Sequence, residues 1–110
     1  MPDLRVEGLA PGEVRVVPYP AGTPPRRSII VVDTPFGVRA YWNVCKHLPI
    51  PLDAGAGQIP RDEAGRLVCA THGAAFVEGT GACTEGPCEG EHLDALEIEP
   101  DGDAWTVRIP

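Results

Sequence analysis

Thirteen prolines and thirteen glycines are spread along 110 residues, and this punctuation constrains the fold more than any other feature of the chain. Proline fixes φ and lacks the amide hydrogen that a helix interior or a central strand needs, and glycine is costly inside either element. Few helix-length stretches fit between the prolines, and none carries apolar residues at a helical period. What remains are short alternating or β-branched runs, the pattern of strands. They predict strands at Glu13–Val17, Arg27–Asp33, Val38–Val44, Arg66–Cys69, Ala75–Val77, Leu96–Glu99 and Trp105–Ile109. Thr34-Pro35-Phe36-Gly37 and Pro100-Asp101-Gly102-Asp103 supply turn residues, and Ala21-Gly22-Thr23-Pro24-Pro25 reads as a longer loop. No repeat and no linker-like change of composition divides the chain, so residues 1–110 are expected to form one all-β domain, a sandwich or small barrel.

Nine basic against sixteen acidic residues give a net charge of −7. That charge repels nucleic acid and anionic membrane surfaces and favours a basic or neutral protein partner. The opening Met1-Pro2-Asp3-Leu4-Arg5-Val6-Glu7 has neither the basic nor the apolar region of a secretory leader. No run approaches the ~20 apolar residues of a membrane helix. The expectation is a soluble, cytoplasmic protein whose four cysteines serve as metal ligands or free thiols and not as a disulfide framework.

Between Cys45 and Cys88 the chain is dense in Gly, Pro, Cys and His, the composition of loops that a rigid scaffold presents. Cys45-Lys46-His47 is a C-x-H, Cys69-Ala70-Thr71-His72 is a C-x-x-H, and 21 residues lie between them. Each motif offers one soft thiolate and one imidazole, so two such loops placed tip to tip supply four ligands. A single zinc or iron ion could use all four in a tetrahedral site. A two-iron, two-sulfide cluster could instead take both thiolates on one iron and both imidazoles on the other. Zinc fingers usually pair like residues within a knuckle, whereas both knuckles here are mixed, as the cluster requires.

With these motifs the chain resembles the Rieske-type [2Fe-2S] proteins, whose pattern is C-x-H … C-x-x-H. Cys69-Ala70-Thr71-His72-Gly73-Ala74-Ala75-Phe76 is similar to the family's second cluster loop, and Gly86-Pro87 falls where the family has a third, proline-containing loop that shields the cluster. The resemblance covers about residues 38–109. It implies a three-sheet antiparallel β sandwich with a small cluster-binding subdomain at about residues 43–90. It also implies one [2Fe-2S] cluster per chain, with Cys45 and Cys69 on the buried iron and His47 and His72 on the outer one. The spacing is longer than in common family versions, and the excess is expected to bulge outward at Asp53–Gln58. High-potential members of the family place a serine and a tyrosine where this chain has Ala74 and Phe76. They also link their ligand loops by a disulfide that the residues Pro49-Ile50 and Ala70-Thr71 cannot form.

The remaining candidates read more plainly. His92 is expected to be a surface histidine, Cys83 and Cys88 packed free thiols, and Trp42 and Phe76 core aromatics. A Rieske cluster has no open site for a substrate, and the sequence offers no second, mononuclear iron site, so the expectation is an electron-transfer component and not an enzyme. The resemblance implies a free-standing ferredoxin that passes electrons from a flavin-dependent reductase to a terminal oxygenase or similar acceptor. The small subunit of an assimilatory nitrite reductase is the alternative within the family, and a structural zinc-binding interaction module is the alternative outside it.

Overall fold

The computed structural model describes residues 3–19, 28–45, 51–53, 58–70, 73–86 and 88–109. Among them are nine strands: β1 (Leu4–Glu7), β2 (Val14–Pro18), β3 (Ser28–Thr34), β4 (Gly37–Trp42), β5 (Leu67–Val68), β6 (Ala75–Phe76), β7 (Cys83–Glu85), β8 (Ala95–Asp101) and β9 (Ala104–Arg108). No helix occurs among the described residues, and no helix is long and apolar enough to cross a membrane. The expected all-β class is what forms.

All strand pairings are antiparallel. A six-stranded order β1-β9-β8-β4-β3-β2 runs beside a three-stranded sheet β5-β6-β7. The long order is two sheets sharing one strand, which gives the three-sheet arrangement. β8 pairs with β4 through Ala95 and Leu96 only, then with β9 from Glu97 to Asp101. Pro100 is tolerated inside β8 because β4 has already left its other edge, so the missing amide hydrogen interrupts no central ladder.

β3 explains where the core sits. Ile29, Ile30, Val31 and Val32 are all fully buried, a continuous apolar run covered on both faces. Successive side chains point to opposite faces, so one strand feeds two cores. Ile29 and Val31 join Val6, Val38, Ala40, Trp42, Leu96 and Val107 on one side. Ile30 and Val32 join Tyr41, Leu67, Phe76, Leu93 and all four cysteines on the other. Burying each Val or Ile completely contributes about 1.5–3 kcal/mol. The small sheet is thereby anchored on the β3–β4 face, with the cysteines between.

Tyr41 makes that anchor directional. Its ring is 2% exposed, and its hydroxyl donates to the Glu78 carbonyl at 2.9 Å. Burial raises the phenol above its ordinary value, so it stays a donor. The chain passes so close at Gly81 that a Cβ there would sit 2.9 Å from Tyr41 Cε1, and φ there is +77°. Tyr41→Phe keeps the ring and removes the donor to Glu78. It should lower stability by about 1 kcal/mol, read as a lower urea midpoint with an unchanged slope.

Two expected features shift. The strand at Val38–Val44 ends at Trp42, where Asn43 begins the first ligand loop. β1 and β7 were not expected from the sequence. Arg27 and the loop at residues 21–25 lie outside the described residues.

Candidate metal centre

The first ligand loop starts as β4 ends. Asn43 is 1% exposed, and its side chain does the fastening. Nδ2 donates to Ser28 Oγ at 3.0 Å and to Asp53 Oδ1 at 3.2 Å. Oδ1 accepts from the Leu52 amide at 2.8 Å. A buried amide with all these partners is held firmly, since leaving any of them unpaired costs desolvation energy. The two ends of the loop, at residues 43–45 and 51–53, are therefore clamped together beside Cys45.

The second ligand loop is a tight turn at the end of β5. The Cys69 amide donates to the Ala74 carbonyl at 2.8 Å, and the Gly73 amide donates back to the Cys69 carbonyl at 2.9 Å. The Ala70 amide donates to the Leu52 carbonyl at 2.8 Å, which stitches this loop to the first. Cys45 and Cys69 are each 1% exposed and belong to one packed cluster. Their thiols enter it from two loops joined by that hydrogen bond. His47 and His72, the other two expected ligands, lie outside the described residues, as does Pro87. Among the described residues no three His, Cys, Asp or Glu side chains converge as a metal site.

A third segment closes the wall. Gly86, at φ +98°, packs on the second loop so tightly that a Cβ would meet Ala74 Cα at 2.8 Å. Only glycine fits there. The hairpin around Gly86 carries Glu85, Glu89 and Glu91 exposed at its surface. Cys83 and Cys88 sit inside the same hairpin, each 4% exposed. None of the four cysteines is disulfide-bonded. Burial, helped by the hydrogen bond to Cys83 and by the neighbouring cysteines, pushes the Cys88 thiol up to about 12. It stays protonated at neutral pH. His92 is exposed and bridges Ala82, and Trp42 and Phe76 are core aromatics at 6% and 0% exposure.

The sequence singled out the cysteines but missed the clamp. Asp53 was expected to begin an outward bulge, yet it is 4% exposed and bonded to Asn43. Residues 54–57, the middle of that stretch, lie outside the described residues. The available signal was a polar residue at the end of an apolar strand two positions before Cys45.

The donor set fits an iron–sulfur group. Two soft thiols are buried among apolar side chains, each on its own hydrogen-bonded loop, an environment in which thiolates ligate iron. Comparisons agree. The sequence model of the Rieske [2Fe-2S] domain matches residues 4–100. None of the curated proteins matches the sequence closely. The structure is similar to the ferredoxin of carbazole 1,9a-dioxygenase from Nocardioides aromaticivorans IC177, at 26% identity and TM-score 0.70, over 96% of this chain and 95% of that one. A chain in the complex of reduced oxygenase and oxidized ferredoxin in carbazole 1,9a-dioxygenase is 24% identical with TM-score 0.70, over 96% of this chain and 91% of that one. The terminal oxygenase of carbazole 1,9a-dioxygenase from Novosphingobium sp. KA1 shares the fold at 11% identity and TM-score 0.73, over 96% of this chain but only 29% of its own length. With 97 of its residues inside the family match, the chain belongs to the Rieske [2Fe-2S] domain family, whose single [2Fe-2S] cluster makes it an electron-transfer component.

Proposed function

We propose that this chain is a Rieske-type ferredoxin that takes electrons from a flavin-dependent reductase and delivers them to a terminal oxygenase. The observation that carries this reading is the end-to-end correspondence with a dioxygenase ferredoxin, 96% of this chain on 95% of the other. The terminal oxygenase, by contrast, is matched over 29% of its length, so the chain is similar to the carrier as a whole and to the oxygenase only in part. Its proposed place is the cytoplasm, and its proposed organisation is a single domain in which about residues 43–90 form the cluster-binding part.

Cys45 and Cys69 are proposed to hold the inner iron and His47 and His72 the outer one. When bound, the cluster accepts and releases one electron at a time. The chain's own residues prepare its place. Asn43 and Asp53 fix the first loop, the Cys69–Ala74 turn fixes the second, and the Ala70–Leu52 hydrogen bond sets the distance between them. Ile30, Val32, Phe76 and Leu93 keep the thiolate side dry.

The exposed carboxylates of Glu85, Glu89 and Glu91 stand on the hairpin that packs against the second loop through Gly86, with Glu85 3.4 Å from Arg66, on a chain of net charge −7. They favour a basic docking patch on the partner. Electron transfer with purified reductase and oxygenase, followed by stopped flow, tests the reading. The second-order rate should fall at least about tenfold between about 10 mM and about 500 mM salt. Absence of transfer to any oxygenase partner contradicts the proposed function, and a rate flat with salt contradicts the electrostatic docking.

A further inference from the structure

Cys83 and Cys88 take no part in the proposed ligand set, yet the fold brings their sulfurs together. The Cys88 thiol donates to Cys83 Sγ at 2.9 Å, and the Cys83 thiol donates to the Glu85 carbonyl at 3.2 Å. The approach is imposed by the backbone. The Cys83 amide donates to the Glu91 carbonyl at 2.7 Å, the Gly90 amide to the Cys83 carbonyl at 3.2 Å, and the Glu91 amide to the Cys88 carbonyl at 2.9 Å. A disulfide needs its sulfurs only about 1 Å closer than this. The same hairpin presses Gly86 onto Ala74, whose carbonyl closes the Cys69 turn.

We propose that Cys83 and Cys88 are a reversible dithiol–disulfide couple that staples the hairpin walling the second ligand loop. A low-molecular-weight disulfide of the glutathione class is the oxidant. One protein thiolate attacks a sulfur of the oxidant and releases one glutathione thiol. The second protein thiolate attacks the mixed disulfide and releases the other. Two S–H bonds of the protein are replaced by one S–S bond, and the oxidant gains the two electrons and two protons. Both residues are 4% exposed, so exchange waits on local opening of the hairpin and is slow. Once formed, the link shortens the closed segment to residues 83–88 and restrains that opening. The effect on the cluster rests on the proposed ligand set, whereas the thiol chemistry does not.

The test equilibrates the purified holoprotein anaerobically in glutathione buffers from fully reduced to fully oxidised. Samples are quenched in acid, unfolded and alkylated. At the oxidised end two of the four cysteines should escape alkylation, the intact mass should fall by two hydrogens, and peptide mapping should join residue 83 to residue 88. Reduced glutathione in excess should restore all four. Four alkylated thiols at every ratio, a glutathione adduct with no internal link, or a link to Cys45 or Cys69 overturns the proposal. Iron release to a chelator should be about tenfold slower in the oxidised form, and equal release in the two forms overturns the staple. A protein that binds no iron refutes the ligand set and leaves the alkylation count readable on its own.

Discussion

Cys45→Ser and Cys69→Ser proteins are expected to contain no [2Fe-2S] cluster, while Cys83→Ser keeps its full complement. The first two thiols stand on the loops that meet through the Ala70–Leu52 hydrogen bond, each 1% exposed. A serine there offers a harder, far less acidic ligand to iron. It also leaves a hydroxyl in an apolar pocket, at a cost of about 1–3 kcal/mol. The loss should be complete if the proposed set of two thiolates and two imidazoles holds the cluster, because each iron then depends on both of its protein ligands. His47→Ala and His72→Ala should likewise remove the Rieske spectrum, since imidazole on one iron defines it. Iron and sulfide per chain, with visible absorption, give the result. Bleaching in Cys83→Ser would move the sulfur ligation to the hairpin and contradict the assignment.

The midpoint potential is expected at or just below the low end of the family, at about −100 to −200 mV where the family spans about −150 to +300 mV. Donors aimed at the sulfur atoms stabilise the reduced, more negative state. The two positions where high-potential relatives carry hydroxyls are Ala74 and Phe76 here. Both are fully buried in the cysteine-side core, and neither side chain has a hydroxyl to offer. No disulfide joins the ligand loops either. Such a potential suits a carrier between a flavin and an oxygenase, and not an acceptor of quinol electrons. Protein-film voltammetry at neutral pH measures it directly. A midpoint above about +100 mV contradicts both the potential argument and the ferredoxin reading.

The large sheet was legible because β-branched runs between turn residues leave the chain few choices. Ser28–Thr34 and Gly37–Trp42 sit within a residue or two of the expected strands, and Thr34-Pro35-Phe36-Gly37 turns between them. β1 alternates correctly, with Val6 inward, but four residues carry too weak a pattern to stand out. Its partner β9 is a hundred residues away and supplies what the local sequence lacks. β7 has three residues in a Gly-rich segment and exists because β6 pairs with it across a bulge.

The site divides in the same way. C-x-H and C-x-x-H announce themselves because ligand chemistry demands those residue types at short spacing. The Asn43–Leu52–Asp53 clamp depends on residues that meet only after the loop closes. The Cys83–Cys88 contact depends on a turn held by the backbone amides of Glu89, Gly90 and Glu91. Hydrogen bonds made by the backbone leave no mark on residue type.

Electron paramagnetic resonance of the dithionite-reduced protein, with resolved nitrogen hyperfine coupling, tests the central claim most directly. A rhombic signal from one reduced [2Fe-2S] cluster per chain, coupled to two imidazole nitrogens that vanish in His47→Ala or His72→Ala, is the predicted result. A signal without nitrogen coupling, or a silent protein that binds one zinc ion per chain, would contradict it.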